Sequence, residues 1–251
     1  MLDLTQIARR ALETQPYSWA AIDDLFAPQA AAALAATYPR DHFKTLSGHD
    51  GEKEYLYEAR ALLGLGTGTV AHAAELSDVW RELAHDLLSP EYRAAMSLLT
   101  GHDLTAVPIE ANVYHYGPGA SLGPHLDLPY KLVTHVLYFN RAWNPNDGGC
   151  LSILRSGSPD DVAAEILPLV GHSAVLVRSD RSWHAVQPVA LSSRKSRRSV
   201  TVTFYRPGSV SPMWPEDDAT PLHSYEGAGL EAEDTAPEKP RARWLPRFLA
   251  R

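Results

Sequence analysis

The spacing of apolar residues predicts helices in the first hundred residues. Apolar positions recur there every three or four residues, as on the buried side of a helix. The predicted helices cover residues 4–12, 27–37, 73–87 and 90–100. Pro28 and Pro90 stand near the starts of two of them, and Gly101 follows the last one. We expect these helices to pack against a sheet.

From about residue 107 the apolar residues occupy alternate positions, which indicates β-strands. The candidate strands are 109–116, 131–140, 150–154, 173–178 and 197–206. Runs of Gly, Pro, Asn and Ser separate several of them and predict turns. Short strands without long helices between them favour an antiparallel sandwich or barrel over a parallel sheet.

The strand pattern ends near residue 208. Residues 208–243 are rich in Pro, Gly, Glu and Asp, which predicts a surface extension that is partly flexible. The apolar residues at 244–249 are a candidate docking segment, either for the body of the protein or for a partner.

Composition narrows the possible classes of protein. The 251 residues are 45% hydrophobic and 21% charged with a net charge of −7, which excludes a wholly disordered chain and disfavours a general nucleic-acid surface. One cysteine excludes an internal disulfide and a cysteine-rich zinc site. No apolar run is long enough to cross a membrane, and the N-terminus does not resemble a secretory signal. We therefore expect a cytoplasmic protein.

Three residues form a candidate metal site. His125 and Asp127 are two apart, so on an extended strand both side chains point to the same face. His184 follows an apolar strand 59 residues later. Two imidazoles and one carboxylate on one side of a metal leave its other positions open, as in non-haem Fe(II) oxygenases. Such a tripeptide also occurs by chance in surface loops.

A candidate anion site lies on the strand after His184. Alternation places Arg197, Ser199, Thr201 and Thr203 on one face of this strand and puts Arg198 on the apolar face, at a fraying strand start. A guanidinium on a polar, cavity-lining face matches a carboxylate. A metal and an arginine on opposite walls suit a small dicarboxylate.

These segments together resemble the 2-oxoglutarate/Fe(II)-dependent oxygenases, specifically the prolyl-hydroxylase-like branch. The resemblance covers about residues 107–206 and is weaker over 17–45. It rests on four motifs, namely Tyr116-Gly117-Pro118-Gly119 before the His-x-Asp motif, the strand from Leu137 to Trp143, the pair Gly148-Gly149, and the segment from Ser179 to Pro188.

The resemblance implies a mainly β fold with a double-stranded β-helix (jelly-roll, cupin-like) core at 107–207. Residues 1–106 would be a helical support region of the same domain, and 208–251 a C-terminal extension. It also implies that His125, Asp127 and His184 hold Fe(II), and that Arg197 and Tyr138 bind the distal carboxylate of 2-oxoglutarate. Arg198 and Arg194 are the second choices for this role. The implied pocket walls are Val136, Leu151 and Val186, with Ser199 and Thr201 facing inward.

The implied function is a dioxygenase that hydroxylates an unactivated C–H bond and releases succinate and CO₂. It would use Fe(II), 2-oxoglutarate and O₂, with ascorbate as a possible reductant. Asp127 favours hydroxylation over halogenation, because related halogenases have a small residue there. Desaturation, epoxidation and ring formation stay open.

The expected partner is a small molecule, an amino acid or a natural-product intermediate, and neither nucleic acid nor a membrane is expected. The oligomeric state is unknown. Residues 42–70, 109–116, 117–130 and the tail are expected to select the substrate, with Asn112, Tyr114, Tyr130, Lys131 and Trp214 as candidates. The alternatives are a hydroxylase of prolyl or other residues in a peptide or protein, a non-catalytic jelly-roll binding module, and a zinc hydrolase.

Other motifs have simpler explanations. The glycine-rich run at 64–69 lacks the spacing and the Lys-Ser/Thr ending of a phosphate loop. Cys150 lies in an apolar strand and is expected to be buried rather than nucleophilic. Alternation places His135 on the face opposite Tyr138, so we expect a structural role for it, as for His115.

Overall fold

The computed structural model describes residues 1–50 and 53–225. Its α-helices are α1 (Leu4–Ala8), α2 (Pro28–Ala36), α3 (Asp78–Leu88) and α4 (Pro90–Thr100). Its strands are β1 (Trp19–Ile22), β2 (Lys44–Asp50), β3 (Lys53–Leu63), β4 (Ile109–Tyr116), β5 (Ser121–His125), β6 (Lys131–Tyr138), β7 (Leu151–Leu154), β8 (Val162–Ile166), β9 (Ser173–Val177), β10 (His184–Val186) and β11 (Arg197–Tyr205). Among the described residues, no helix is both long and apolar enough to cross a membrane.

The strands form one rolled antiparallel sheet. Its order is β1-β9-β6-β11-β4-β3-β5-β10-β7-β8, and β2 pairs with the outer part of β3. The short strands β5, β10, β7 and β8 continue from one edge of the long-stranded half, so the sheet encloses an inner face. This is a double-stranded β-helix, and the predicted fold class is confirmed.

The helices pack against the outer face of the long-stranded half. On α3 the buried residues Trp80, Leu83, Ala84 and Leu87 follow helical spacing, and they belong to the same cluster as strand residues such as Val200 and Val202. Each fully buried leucine contributes about 2 kcal/mol. Helix α4 begins where the Ser89 hydroxyl accepts a hydrogen bond from the Tyr92 amide, and it ends at Gly101 in the left-handed conformation.

The inner face is more polar, as the alternation on β11 predicts. Arg197, Ser199 and Thr201 lie opposite Tyr116, Tyr114 and Asn112 of β4. Directly opposed residues in an antiparallel pair point to the same side, so these six side chains share the inner face. The side chains between them, such as Val113 and Val200, belong to the outer core.

The expectation of a mostly helical N-terminal region is wrong for three segments. Residues 19–22, 44–50 and 53–63 are strands. β3 pairs with β4 and β5, so its conformation is fixed by partners more than 45 residues away and not by local preference. The predicted helix 4–12 ends at Ala8, and the predicted helix 73–87 is divided because Leu76 is extended.

The C-terminal extension is described only in part. Residues 209–225, here called the C-terminal segment, run back along the sheet and contact residues of β2, β3 and β4. Residues 226–251, which include the docking segment considered at 244–249, lie outside the described residues. The division of the chain into three parts stays a prediction.

Candidate active site

The fold brings His125, Asp127 and His184 together. His125 ends β5, His184 begins β10, and the two residues are directly opposed in this antiparallel pair. Their ring centroids are 4.3 Å apart. One ligand atom from each of the three residues lies within 4.8 Å of the others. Asp127 lies just beyond the strand end, in a loop rather than on the extended strand considered from the sequence.

Backbone carbonyls fix the orientation of both imidazoles. The Nδ1 of His125 lies 2.9 Å from the carbonyl oxygen of Gly123, and the Nδ1 of His184 lies 2.9 Å from that of Ser182. A carbonyl oxygen only accepts, so each Nδ1 carries the proton and donates. The lone pair is then on Nε2, which is the arrangement of metal-binding histidines.

Two donors hold the Asp127 carboxylate. Thr134 Oγ1 donates to Oδ2 at 2.8 Å, and Lys131 Nζ donates to Oδ1 at 2.7 Å. Burial raises the pKa of Asp127, but the charge and hydrogen bond of the Lys131 ammonium, together with the charge of the two imidazoles when they are protonated, outweigh burial and hold the pKa well below its usual value. The side chain is therefore an anion. Two nitrogens and one anionic oxygen fit Fe(II) with open coordination positions.

Arg197 lies on the inner face as a buried cation. Its side chain is 2% exposed. Nη1 donates to Ser199 Oγ at 2.8 Å, and the guanidinium carbon lies 4.9 and 5.2 Å from the ring centres of Tyr116 and Tyr138. Within the described part of the chain, no carboxylate pairs with Arg197, and its Nε has no hydrogen-bond partner. A buried cation without an anion is costly, so this position fits an anionic ligand.

Tyr138 supplies a second donor beside Arg197. Its hydroxyl is buried and, among the described residues, lacks a partner of hydrogen-bonding geometry. Burial raises the pKa of Tyr138, against the opposing effect of the Arg197 charge, so the phenol keeps its proton. The two side chains can therefore bind one carboxylate together.

The other predicted pocket residues lie on the inner face of the sheet, near Tyr138 or Tyr116. Val136 and Leu151 belong to the same buried cluster as Tyr138, and Val186 belongs to the cluster of Tyr116. Thr201 is opposite Val136 in the sheet and shares its inner face. These predicted pocket residues thus lie on the buried inner face of the rolled sheet, and the space that this face encloses is here called the chamber.

The sequence predicts that Arg198 lies at a frayed strand end, but the structure buries this residue. Its side chain is 2% exposed, and its guanidinium carbon lies 5.5 Å from the ring centre of Tyr38. Its backbone amide donates to Asn140 Oδ1 at 2.9 Å. Partners from the N-terminal region and from the turn after β6 enclose it, and neither was evident from the local sequence.

Cys150 and the two strand histidines have structural surroundings. Cys150 is buried, and burial raises the pKa of its thiol to about 11. His135 is fully buried on the outer face, where its Nδ1 lies 2.9 Å from the Tyr92 hydroxyl. His115 pairs with Glu58 at 2.6 Å. None of the three belongs to the metal-binding group.

The C-terminal segment covers the inner face near the start of β4. Ser211 Oγ donates to Glu110 Oε1 at 2.5 Å, and Trp214 Nε1 donates to Asn112 Oδ1 at 2.7 Å. Lys44 Nζ lies 4.2 Å from the Trp214 ring centre and pairs with Asp218. Trp214 and Asn112 were sequence candidates, but Lys44 was not, because only the folded chain brings β2 to this segment.

The end of the C-terminal segment is attached to β3 and β4. His223 Nε2 lies 2.8 Å from Glu58 Oε1, and the Tyr225 ring lies 3.8 Å from that of His115. Phe43 and His223 exchange backbone hydrogen bonds.

A second residue missed from the sequence is Tyr17. The alternation of Tyr17, Trp19 and Ala21 is the signal that could have indicated a strand reaching the chamber.

The rolled sheet and its inner-face chamber define a double-stranded β-helix protein with a candidate site for one metal ion. Residues 111–206 match the family model of the 2OG-Fe(II) oxygenase superfamily. This match agrees with the resemblance seen in the sequence, and it indicates an enzyme that uses Fe(II), 2-oxoglutarate and O₂. The alternatives of a non-catalytic binding module and a zinc hydrolase are therefore set aside. No curated protein matches the chain.

Solved structures share the fold at low sequence identity. A prolyl-4-hydroxylase from Pseudomonas putida is 21% identical with a TM-score of 0.53, over 81% of this chain and 96% of that one. A 2OG-Fe(II) oxygenase family oxidoreductase from Burkholderia pseudomallei is 17% identical with a TM-score of 0.51, over 81% and 90%. A prolyl hydroxylase from Trichoplax adhaerens, solved with a peptide fragment, is 15% identical with a TM-score of 0.50, over 82% and 88%.

Proposed function

We propose that His125, Asp127 and His184 hold Fe(II) and that Arg197 and Tyr138 bind the distal carboxylate of 2-oxoglutarate. The observation that carries this proposal is the buried Arg197 guanidinium, which has no anionic partner among the described residues. It lies on the inner face of the same rolled sheet that brings the three ligands together. A dicarboxylate that reaches the metal with one end neutralises this cation with the other.

Bound iron and 2-oxoglutarate supply the activation of O₂, with 2-oxoglutarate converted to succinate and CO₂ and a substrate C–H bond oxidised. The side chains of this protein position the reactants. Ser199 fixes the guanidinium of Arg197, and Thr134 and Lys131 fix the carboxylate of Asp127. The apolar side chains of Val136, Leu151 and Val186 exclude water between the two ends. Hydroxylation is the proposed outcome.

We propose a small polar metabolite, such as an amino acid or a natural-product intermediate, as the substrate. The support is the C-terminal segment, which places Trp214 and Ser211 on inner-face side chains of β4. The chain's own residues thus occupy part of the inner face that a long peptide would otherwise cross. Asn112, Tyr114, Tyr130 and Lys131 offer polar groups to a compact ligand.

A peptide or protein substrate is the second candidate. It is favoured by the shared fold with the Trichoplax prolyl hydroxylase, whose structure contains a peptide fragment. We also propose a cytoplasmic location, because the single cysteine cannot form an internal disulfide and suits a reducing compartment.

The iron site is tested by anaerobic titration with Fe(II) and 2-oxoglutarate. The expected result is a weak visible charge-transfer band in the wild-type protein. The double variant Asp127→Ala/His184→Ala is expected to lose the band, while Glu91→Ala, an exposed helix position, keeps it. A band that survives in the double variant contradicts the ligand assignment.

The substrate class is tested by succinate formation. Amino acids, pathway intermediates and prolyl peptides are added separately to the enzyme with Fe(II), 2-oxoglutarate and O₂. We expect at least one small molecule to stimulate succinate formation above the uncoupled rate and to gain one oxygen atom by mass spectrometry. Stimulation by peptides alone supports the second candidate and contradicts the first.

A further inference from the structure

Tyr17 has a buried hydroxyl that the proposed site does not use. The residue is 2% exposed and precedes β1. Its hydroxyl oxygen has no hydrogen-bond partner among the residues that the structure describes. Buried hydroxyls are nearly always hydrogen-bonded, and a phenylalanine would fill the same apolar space without this cost.

The sheet places Tyr17 on the inner face. Trp19 is directly opposite Leu176 of β9, and the Val177 amide donates to the carbonyl oxygen of Ser18 at 3.0 Å, which continues the pairing past the strand end. Tyr17 lies in the bend just before β1, and its side chain packs in the same buried cluster as that of Trp19. Both belong to the buried inner cluster.

This position is next to the proposed iron site. The cluster of Tyr17 contains Val136 and Leu151, the proposed walls of the 2-oxoglutarate pocket, and Ile153, which is directly opposite the ligand His184 in the sheet. Burial raises the pKa of Tyr17, and the nearby Asp127 carboxylate raises it further. The phenol therefore keeps its proton at neutral pH and can only gain a partner as a donor or a weak acceptor.

We propose that the Tyr17 hydroxyl donates a hydrogen bond to an oxygen atom of a non-protein ligand at the metal, and so acts as a ligand-positioning residue. The inference rests on the proposed iron site. Two ligands offer this chemistry, the metal-chelating end of 2-oxoglutarate and a water molecule on the metal. Asp127 itself already receives hydrogen bonds from Lys131 and Thr134.

The test compares wild type with Tyr17→Phe, which removes only the oxygen. Thermal unfolding is measured for the protein alone, with Mn(II), and with Mn(II) plus 2-oxoglutarate, together with the two dissociation constants. We expect the melting temperature of the protein alone to stay the same or rise, because an unpaired buried polar group is removed. We expect binding of at least one ligand to weaken about tenfold, because one hydrogen bond is lost.

The matched control is Tyr92→Phe, which removes a hydroxyl bonded to His135 on the outer face. It should lower the melting temperature of the protein alone and leave both dissociation constants unchanged. In Tyr17→Phe, weaker binding of Mn(II) alone identifies the water, and weaker binding of 2-oxoglutarate only identifies the cosubstrate. Unchanged dissociation constants, or a lower melting temperature of the protein alone, overturn the inference. If the wild type binds neither ligand, the proposed iron site itself fails.

Discussion

Neighbouring residues on β11 have opposite surroundings. Arg197 points to the inner face beside Tyr138, whereas Arg198 lies under the Tyr38 ring on the helix-covered side. Strand alternation alone separates two identical side chains into different environments. Arg198 can therefore serve as the control for Arg197 when the role of Arg197 in anion binding is tested.

We expect Arg197→Gln to weaken 2-oxoglutarate binding about a hundredfold, because a charge-assisted contact to a carboxylate is lost. Arg198→Gln should leave the affinity for 2-oxoglutarate within about twofold and lower the melting temperature. Isothermal titration with Mn(II) present measures the affinity. Equal losses of affinity in both variants would show that Arg197 has no special role.

Burial lowers the pKa of His135 to about 3, from an ordinary value of 6.5. As pH falls below 6.5, the unfolded chain takes up a proton that the folded protein does not, so stability falls with pH in this range. By pH 5 the loss from this residue is about 2 kcal/mol. Urea unfolding at pH 7 and pH 5 measures it.

The variant His135→Leu/Tyr92→Phe should lose that part of the pH dependence, because no imidazole is left to titrate. The control Tyr92→Phe keeps the imidazole and should keep the pH dependence. The same slope in all three proteins would contradict the role given to His135.

At the scale of elements, the turn before β7 depends on two glycines. Gly148 and Gly149 have φ values of +68° and +66°. A Cβ at Gly148 would lie 2.1 Å from the carbonyl oxygen of Pro188, so this turn is closed by direct backbone contact. The turn leads into β7, which begins at Leu151, a proposed wall of the 2-oxoglutarate pocket.

We expect Gly148→Ala to lower the free energy of unfolding by about 3 kcal/mol or more, from backbone strain and the clash together. Gly171→Ala is the control, because Gly171 has a φ of +89° but no atom within 4 Å of a Cβ. It should cost about 1 kcal/mol. Denaturant unfolding of both variants compares them, and equal losses would rule out the contribution of the clash.

Elements that are specified by local sequence were predicted well, whereas an element that depends on distant strands was missed. Helix α4 was predicted at its observed bounds because Ser89, Pro90 and Gly101 specify its ends locally. β4 was likewise predicted at 109–116 from alternation. β3 was missed because its conformation comes from pairing with β4 and β5, which no short window of sequence contains.

Over the whole molecule, the residues of the candidate active site could be predicted from the sequence, but the contacts of the C-terminal segment that covers it could not. The sequence predicted the group of His125, Asp127 and His184, which the fold brings together. Strand alternation also predicted the inner-face position of Arg197. The contacts of Lys44 with Trp214, and of His223 with Glu58, join segments more than 160 residues apart with no shared pattern. Such contacts depend on the complete fold.

We expect Trp214→Ala to raise the KM for the substrate about tenfold and to increase uncoupled succinate formation, because the inner face near Asn112 becomes open to water. The affinity for 2-oxoglutarate should not change. Val210→Ala, at an exposed position of the same segment, is the control. Steady-state kinetics with the identified substrate measure the effect, and an unchanged KM would place the substrate elsewhere.

The burial of Cys150 allows its rate of chemical labelling to be used as a measure of local opening. Only the thiolate reacts with alkylating reagents, and a pKa of about 11 leaves roughly one thiol in ten thousand ionised at pH 7. The sulfur is also shielded from solvent close to the Arg197 guanidinium. Labelling of the native enzyme therefore requires transient opening beside the carboxylate pocket. Since the chain has one cysteine, we expect the labelling rate to measure this opening in the unmodified protein, and we expect bound 2-oxoglutarate to slow it.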